Sequence, residues 1–133
     1  MNTFHLDIVT IYGNYYSEEV ESLLVHTDDG DVEILAGHAD FLASVATGRA
    51  RIIKDGKSRL ASCSGGFLSV ANKAVKLVTS TFEFADEIDL NRAMAAKEKA
   101  ERRLQRATSE KEIALAKAKI ARAINRINIA EIK

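Results

Sequence analysis

The backbone chemistry of this chain changes once, near residue 85. All seven glycines lie at or before Gly66, and 12 alanines lie at or after Ala85. Glycine supplies the positive φ angles of tight turns, whereas alanine is the strongest helix former. A chain with its turns gathered in front and its helix formers behind is expected to fold as two regions, 1–84 and 85–133. Charge divides at the same place. Through residue 84 there are 7 Lys/Arg against 11 Asp/Glu, a net of −4, and from residue 85 there are 12 against 8, a net of +4.

The first region carries the period of two that marks half-buried strands. In "TFHLDIV", Phe4, Leu6 and Ile8 face one way while Thr3, His5 and Asp7 face the other. Further short runs follow, "ESLLVH", "DVEIL", "RARII", "RLASCS", "GFLSV" and "AVKLVTS". They are separated by the turn signals "YGN", "DDGD", "DGKS", "SGG" and "ANKA". There is no proline, so Gly, Asn, Asp and Ser must make every turn. "KDGK" reads as a hairpin turn, and so does "SGG", which lacks the Lys and following helix of a phosphate loop. Many short strands without a helical pattern between them predict an antiparallel sandwich or barrel.

The second region reads as two helices. No glycine interrupts it, and Asp86 or Asp89 stands ready to cap the first helix. Ser109 followed by Glu112 is a capping box that announces the second helix. The second helix repeats Ile113, Ala116, Ile120, Ala123, Ile127 and Ala130. Its partner stripe is Ala93, Ala96 or Ala100, Leu104 and Ala107. A short connection makes such helices pack antiparallel. The expected class is therefore α+β in two parts, an N-terminal antiparallel β-sandwich followed by a C-terminal antiparallel two-helix hairpin. An alanine–isoleucine seam removes little apolar area from water, so at about 25 cal/mol per Å² it stabilises the pair only modestly. That suits a hairpin able to open.

Several function classes fall away. His5, His26, His38 and Cys63 do not stand at metal-ligand spacing, and no nucleophile with its base emerges, so neither a metal site nor catalytic residues are expected. The apolar runs are too short to span a bilayer, and the start lacks the basic and apolar segments of a secretion signal. A single cysteine excludes an internal disulfide and suits a reducing compartment. Arg92, Lys99 and Arg103 share one face of the first helix, and Lys119, Arg122 and Arg126 one face of the second. Such stripes are usually solvated; as binding faces they suit acidic protein or a phosphate-bearing ligand better than nucleic acid. The chain is neutral overall, and aromatic residues are absent after Phe84. In the first region, "DDGDVEILAGHADFL" reads either as a solvated turn or as a polar docking edge with Phe41 and Leu42 as apolar anchors.

The motifs "TFHLDIVT", "DGDVEILAGHADFL", "SGGFLSV" and "IDLNRAMAAKEKAERRLQ", in this order and spacing, resemble those of the epsilon subunits of bacterial F-type ATP synthases along essentially the full chain. The resemblance implies a non-catalytic rotor subunit that couples rotation of the c ring to ATP synthesis. Its sandwich would bind the gamma subunit and the c ring, with Asp31 and His38 in the docking loop. Its hairpin would restrain ATP hydrolysis by reaching the alpha and beta subunits. The resemblance also implies a peripheral position on the cytoplasmic face of the cell membrane, no required cofactor, and ATP as a regulatory ligand. The ATP motif of the family is matched by Ile88, Asp89, Arg92 and Ala93, with further matches at Glu83, Arg122 and Arg126. Two features depart from the family pattern. Lys99 stands where nucleotide-binding members typically have Arg, which keeps the charge but loses the planar fork. In the docking loop, Glu33 replaces a common Gly, and Ala36 and Asp40 replace prolines.

Overall fold

In the computed structural model, which describes residues 2–132, the chain forms two compact units, Met1–Phe84 and Ala85–Lys133. Met1 and Lys133, the outer ends of the two expected regions, lie outside the described residues.

The first unit is built from eight strands: β1 (Phe4–Thr10), β2 (Gly13–Val20), β3 (Ser22–Thr27), β4 (Gly30–Leu35), β5 (Phe41–Ser44), β6 (Gly48–Lys54), β7 (Lys57–Ala71) and β8 (Ala74–Phe84). Hydrogen-bonded neighbours run in the order β2-β1-β8-β7-β6-β3-β4, with β5 on β7. The long β7–β8 ribbon belongs to both layers of the sandwich. Its β7 residues Phe67–Val70 pair β5 and its β8 residues Val75–Val78 pair β1, while Lys57–Cys63 of β7 pair β6. Inward side chains of the two layers form one core. Leu6, Ile8, Leu23, Ile34, Leu68 and Leu77 are all fully buried in it.

The crossing between layers sits at Gly65 and Gly66, with φ of 69° and 128°. A Cβ on Gly66 would stand 1.8 Å from the Val78 carbonyl oxygen, so only glycine fits. This corrects one expectation. "SGG" is not a hairpin turn between two strands; it is a kink inside a single one, and "RLASCS" and "GFLSV" are halves of β7. Two strands escaped the pattern, β2 and β5. The exclusively antiparallel reading also needs one amendment, because β1 runs parallel to β8, Leu6 opposite Val75 and Ile8 opposite Leu77.

At the far end of β8 an aromatic group closes the layer. Phe82 and Phe84 meet edge to face at 5.2 Å, Tyr15 and Tyr16 lie against them, and the Arg59 guanidinium sits 3.6 Å from the Phe84 ring centre. Cys63 is buried in the core, which pushes its thiol up to about 12 and leaves it inert at neutral pH.

The second unit begins with a single 3₁₀ turn, Ala85–Glu87, followed by α1 (Leu90–Arg106) and α2 (Glu110–Ile132). Asp89 is the N-cap of α1, with extended backbone and its carboxylate accepting from the Arg92 amide at 3.1 Å. Ser109 caps α2 in the same way, accepting from the Glu112 amide at 3.1 Å. The buried seam is Ala93 and Ala100 of α1 with Ala116, Ala123, Ile129 and Ala130 of α2. Spacings of seven match on both sides of the antiparallel pair. Ala96 is exposed, which leaves Ala100 as the seam residue of that turn.

Candidate functional site

Each candidate residue is placed by the element that carries it. Ile88 is buried just ahead of the α1 cap. Asp89 spends one carboxylate oxygen on the Arg92 amide, so the Asp89–Arg92 spacing is first of all a helix start. Arg92 occupies the first turn of α1 with its side chain exposed, and Lys99 lies two turns further along the same face. Arg122 and Arg126, half-buried, lie in the C-terminal half of α2, one turn apart. In an antiparallel pair the start of α1 and the end of α2 are at the same end. The hairpin therefore gathers Arg92, Arg122 and Arg126 at the end away from its connection, with Lys99 nearer the middle. Arginine is a residue type that grips phosphate oxygens, while the amide end of α1 nearby is already capped by the Asp89 carboxylate. Glu83 belongs to the other unit, in β8 opposite Ser62 of β7.

The docking candidates part company. Asp31 is not in a loop but at the start of β4, opposite His26. Its carboxylate meets His26 Nδ1 at 2.9 Å and lies 3.8 Å from Arg49, all three side chains about half exposed. His38 follows the other end of β4, held by its Nδ1 at 2.7 Å from the Ala39 carbonyl and edge-on to Phe41 at 5.6 Å. At about 3.3 Å per residue along β4, Asp31 and Leu35 alone are ~13 Å apart. The two residues thus serve opposite ends of the strand rather than one patch.

At the His38 end the structure adds what sequence reasoning missed. A cavity of about 210 Å³ is lined by Thr3, Phe4, Leu35, His38, Lys73 and Val75, among others. The Asn72 amide donates to Asp40 at 3.3 Å, tying the loop after β4 to the β7–β8 turn. Lys73 sits there with φ of 66°, a left-handed conformation uncommon for lysine. The sequence pointed to this spot through His38 and its docking stretch and through the "ANKA" turn signal, but not to the cavity between them. His26 and Arg49 were also missed, although pairing β3 with β4 across the "DDG" turn sets His26 opposite Asp31. Among the described residues no group of three or more His, Cys, Asp or Glu is arranged to hold a metal ion, and no helix is long and apolar enough to cross a membrane.

Known proteins share this two-part construction. Residues 3–85 match the family described as ATP synthase, Delta/Epsilon chain, beta-sandwich domain, and residues 86–131 match its long alpha-helix domain. An ATP synthase epsilon chain of Bacillus velezensis is 38% identical over 98% of both chains. Another, from Caldanaerobacter subterraneus subsp. tengcongensis, is 40% identical over 96% of this chain and 94% of its own length. A chain in the Euglena gracilis mitochondrial ATP synthase (OSCP/F1/c-ring) superposes with a TM-score of 0.76 at 24% identity, covering 98% of this chain and 82% of that one, a likeness of fold.

Proposed function

The chain belongs to the ATP synthase delta/epsilon chain family, and on that premise we propose that it is a non-catalytic central-stalk subunit of a bacterial F-type ATP synthase. In this reading the sandwich docks on the gamma subunit and the c ring, so that ion-driven rotation reaches the catalytic head. The subunit is peripheral, on the cytoplasmic face of the membrane. Asp31 and His38, at opposite ends of β4, contribute to different docking surfaces.

The hairpin is the regulatory element. Extended toward the alpha and beta subunits, it restrains ATP hydrolysis; closed, it binds ATP. The observation that carries the ATP reading is the gathering of Arg92 from α1 with Arg122 and Arg126 from α2 at one end of the antiparallel pair. A triphosphate bridging both helices is bound only while they are paired, and a ligand with such differential affinity must favour the paired form. The small alanine seam makes that bias effective, since little apolar burial opposes separation. Lys99 offers a point charge where a planar fork would grip two oxygens, so affinity is lower than an arginine would give.

Calorimetric titration of the full chain with ATP tests this. Heat should appear at up to millimolar ATP, weaken with Arg92→Ala and Arg126→Ala, and strengthen with Lys99→Arg. No heat at millimolar ATP, or binding untouched by either alanine variant, would leave these residues a purely structural role.

A further inference from the structure

The outward face of β1 and β2 carries a polar cluster that neither docking nor nucleotide binding uses. His5 and Asp7 of β1 stand opposite Glu19 and Ser17 of β2. His5 Nδ1 lies 2.7 Å from Glu19 Oε2, and Nε2 lies 2.9 Å from Ser17 Oγ and 3.2 Å from Asp7 Oδ1. Ser17 Oγ is itself 2.7 Å from Asp7 Oδ1.

Counting hydrogens shows which charge state satisfies every contact at once. Ionised carboxylates only accept, and a serine hydroxyl has one proton to give. Ser17 gives its proton to Asp7, so toward His5 it can only accept. Glu19 on the other side of the ring can only accept too. Every contact is then satisfied only if both ring nitrogens carry a proton. A neutral imidazole protonated on Nδ1 keeps its contact with Ser17 only if the hydroxyl turns its single proton from Asp7 to Nε2, which leaves Asp7 without a donor in the cluster.

We propose that His5 is held as an imidazolium that clasps the edge strand β2 onto β1, so that the β1–β2 hairpin loosens as pH rises through the titration of His5. β2 ends the hydrogen-bonded order, so β1 is its only ladder partner among the described strands. Tyr15 and Tyr16 pack β2 against Phe82 and Phe84, and Glu18 reaches Lys54, while the His5 group is the polar side-chain cluster that ties β2 across to β1. The tip of the same hairpin presents Ile11 and Tyr12, 75% and 91% exposed, and moves with β2. The surrounding charges favour the cation. Glu19 first, then Asp7, raise the His5 pKa against the opposing effect of desolvation. Ser17 first, and then His5, lower that of Asp7, which also feels Lys76 of the neighbouring β8. Glu18 of β2 is taken up by Lys54 at 2.8 Å and adds only a distant charge. A histidine with a raised folded pKa contributes stability that is complete below its unfolded value of about 6.5 and is lost as pH rises through the folded value.

NMR titration of the His5 ring in the full chain, paired with hydrogen exchange, tests the clasp. The His5 midpoint should lie above about 6.5. Over the same range the protection of Tyr16–Glu19 amides, corrected for intrinsic base catalysis, should fall several-fold relative to Leu68–Val70 of β7. Glu19→Gln should lower the midpoint, and His5→Gln should abolish the pH response while the core amides keep their protection. A His5 midpoint at or below that of free histidine would overturn the proposal. So would β2 protection that is flat across the titration, or that falls equally in His5→Gln.

Discussion

Replacing Gly66 by alanine should unfold the sandwich far more readily than the same change at Gly65, one residue earlier. At Gly65 the φ of 69° is left-handed but accessible to an L-residue at about 1–2 kcal/mol. The nearest atom to a new Cβ there is Ser80 Oγ at 3.1 Å, the end of a side chain that can rotate away. At Gly66 the φ of 128° lies outside that basin, and the Cβ would meet the Val78 carbonyl oxygen at 1.8 Å with Thr79 Cα at 2.9 Å. Both are backbone atoms of β8. Relief requires β7 and β8 to separate, and the Gly66 carbonyl also accepts the Val45 amide at 2.9 Å, so β5 is pulled as well. Roughly 1–3 kcal/mol of backbone strain and another ~1–3 kcal/mol of overpacking give about 4 kcal/mol. With a urea m-value of about 2 kcal/mol per M, the midpoint should fall by ~2 M for Gly66→Ala and by less than ~1 M for Gly65→Ala. Tyrosine fluorescence is a suitable probe because Tyr12, Tyr15 and Tyr16 all lie in the first unit and the chain has no tryptophan. A Gly66→Ala midpoint within ~0.5 M of the parent, or above that of Gly65→Ala, would refute the close approach inferred between β7 and β8.

Two further outcomes concern the second unit. Ser109→Ala removes the cap on the Glu112 amide and should lower hairpin stability by about 1 kcal/mol, read as a loss of helical circular dichroism on heating. Truncation before Ile88 removes α1 and α2 but leaves all eight strands. The assembled enzyme should then keep its subunits and hydrolyse ATP faster, and unchanged hydrolysis would count against an inhibitory hairpin.

Local signals carried much of this fold. The alternation of Phe4, Leu6 and Ile8 specifies β1 because each side chain's face depends only on its own position in the pleat. Asp89 and Ser109 mark helix starts for a similar reason: a cap acts on amides two or three residues away. The seven-residue rhythm of Ala116, Ala123 and Ala130 likewise identified the buried side of α2. Ile129 was missed, as it lies off that rhythm yet is 2% exposed. For the site, residue type and helix spacing were enough to single out Arg92, Lys99, Arg122 and Arg126 as basic stripes. Gathering three of them at one end needed only the antiparallel sense of a short connection.

The sequence alone thus determined two regions, their boundary, the period of each element and the caps, because these depend on contacts within a few residues. Tertiary structure decided what depends on partners far along the chain. β2 carries no apolar alternation, since an edge strand with most side chains exposed needs none, and it exists because β1 supplies its hydrogen bonds. β1 runs parallel to β8 through a register set nearly 70 residues away in the chain. Gly65 and Gly66 look like any turn, and only the nearness of Val78 makes them a kink inside one strand. The protonation demanded of His5 is equally non-local, because Glu19 and Ser17 reach the ring only once β2 has folded back.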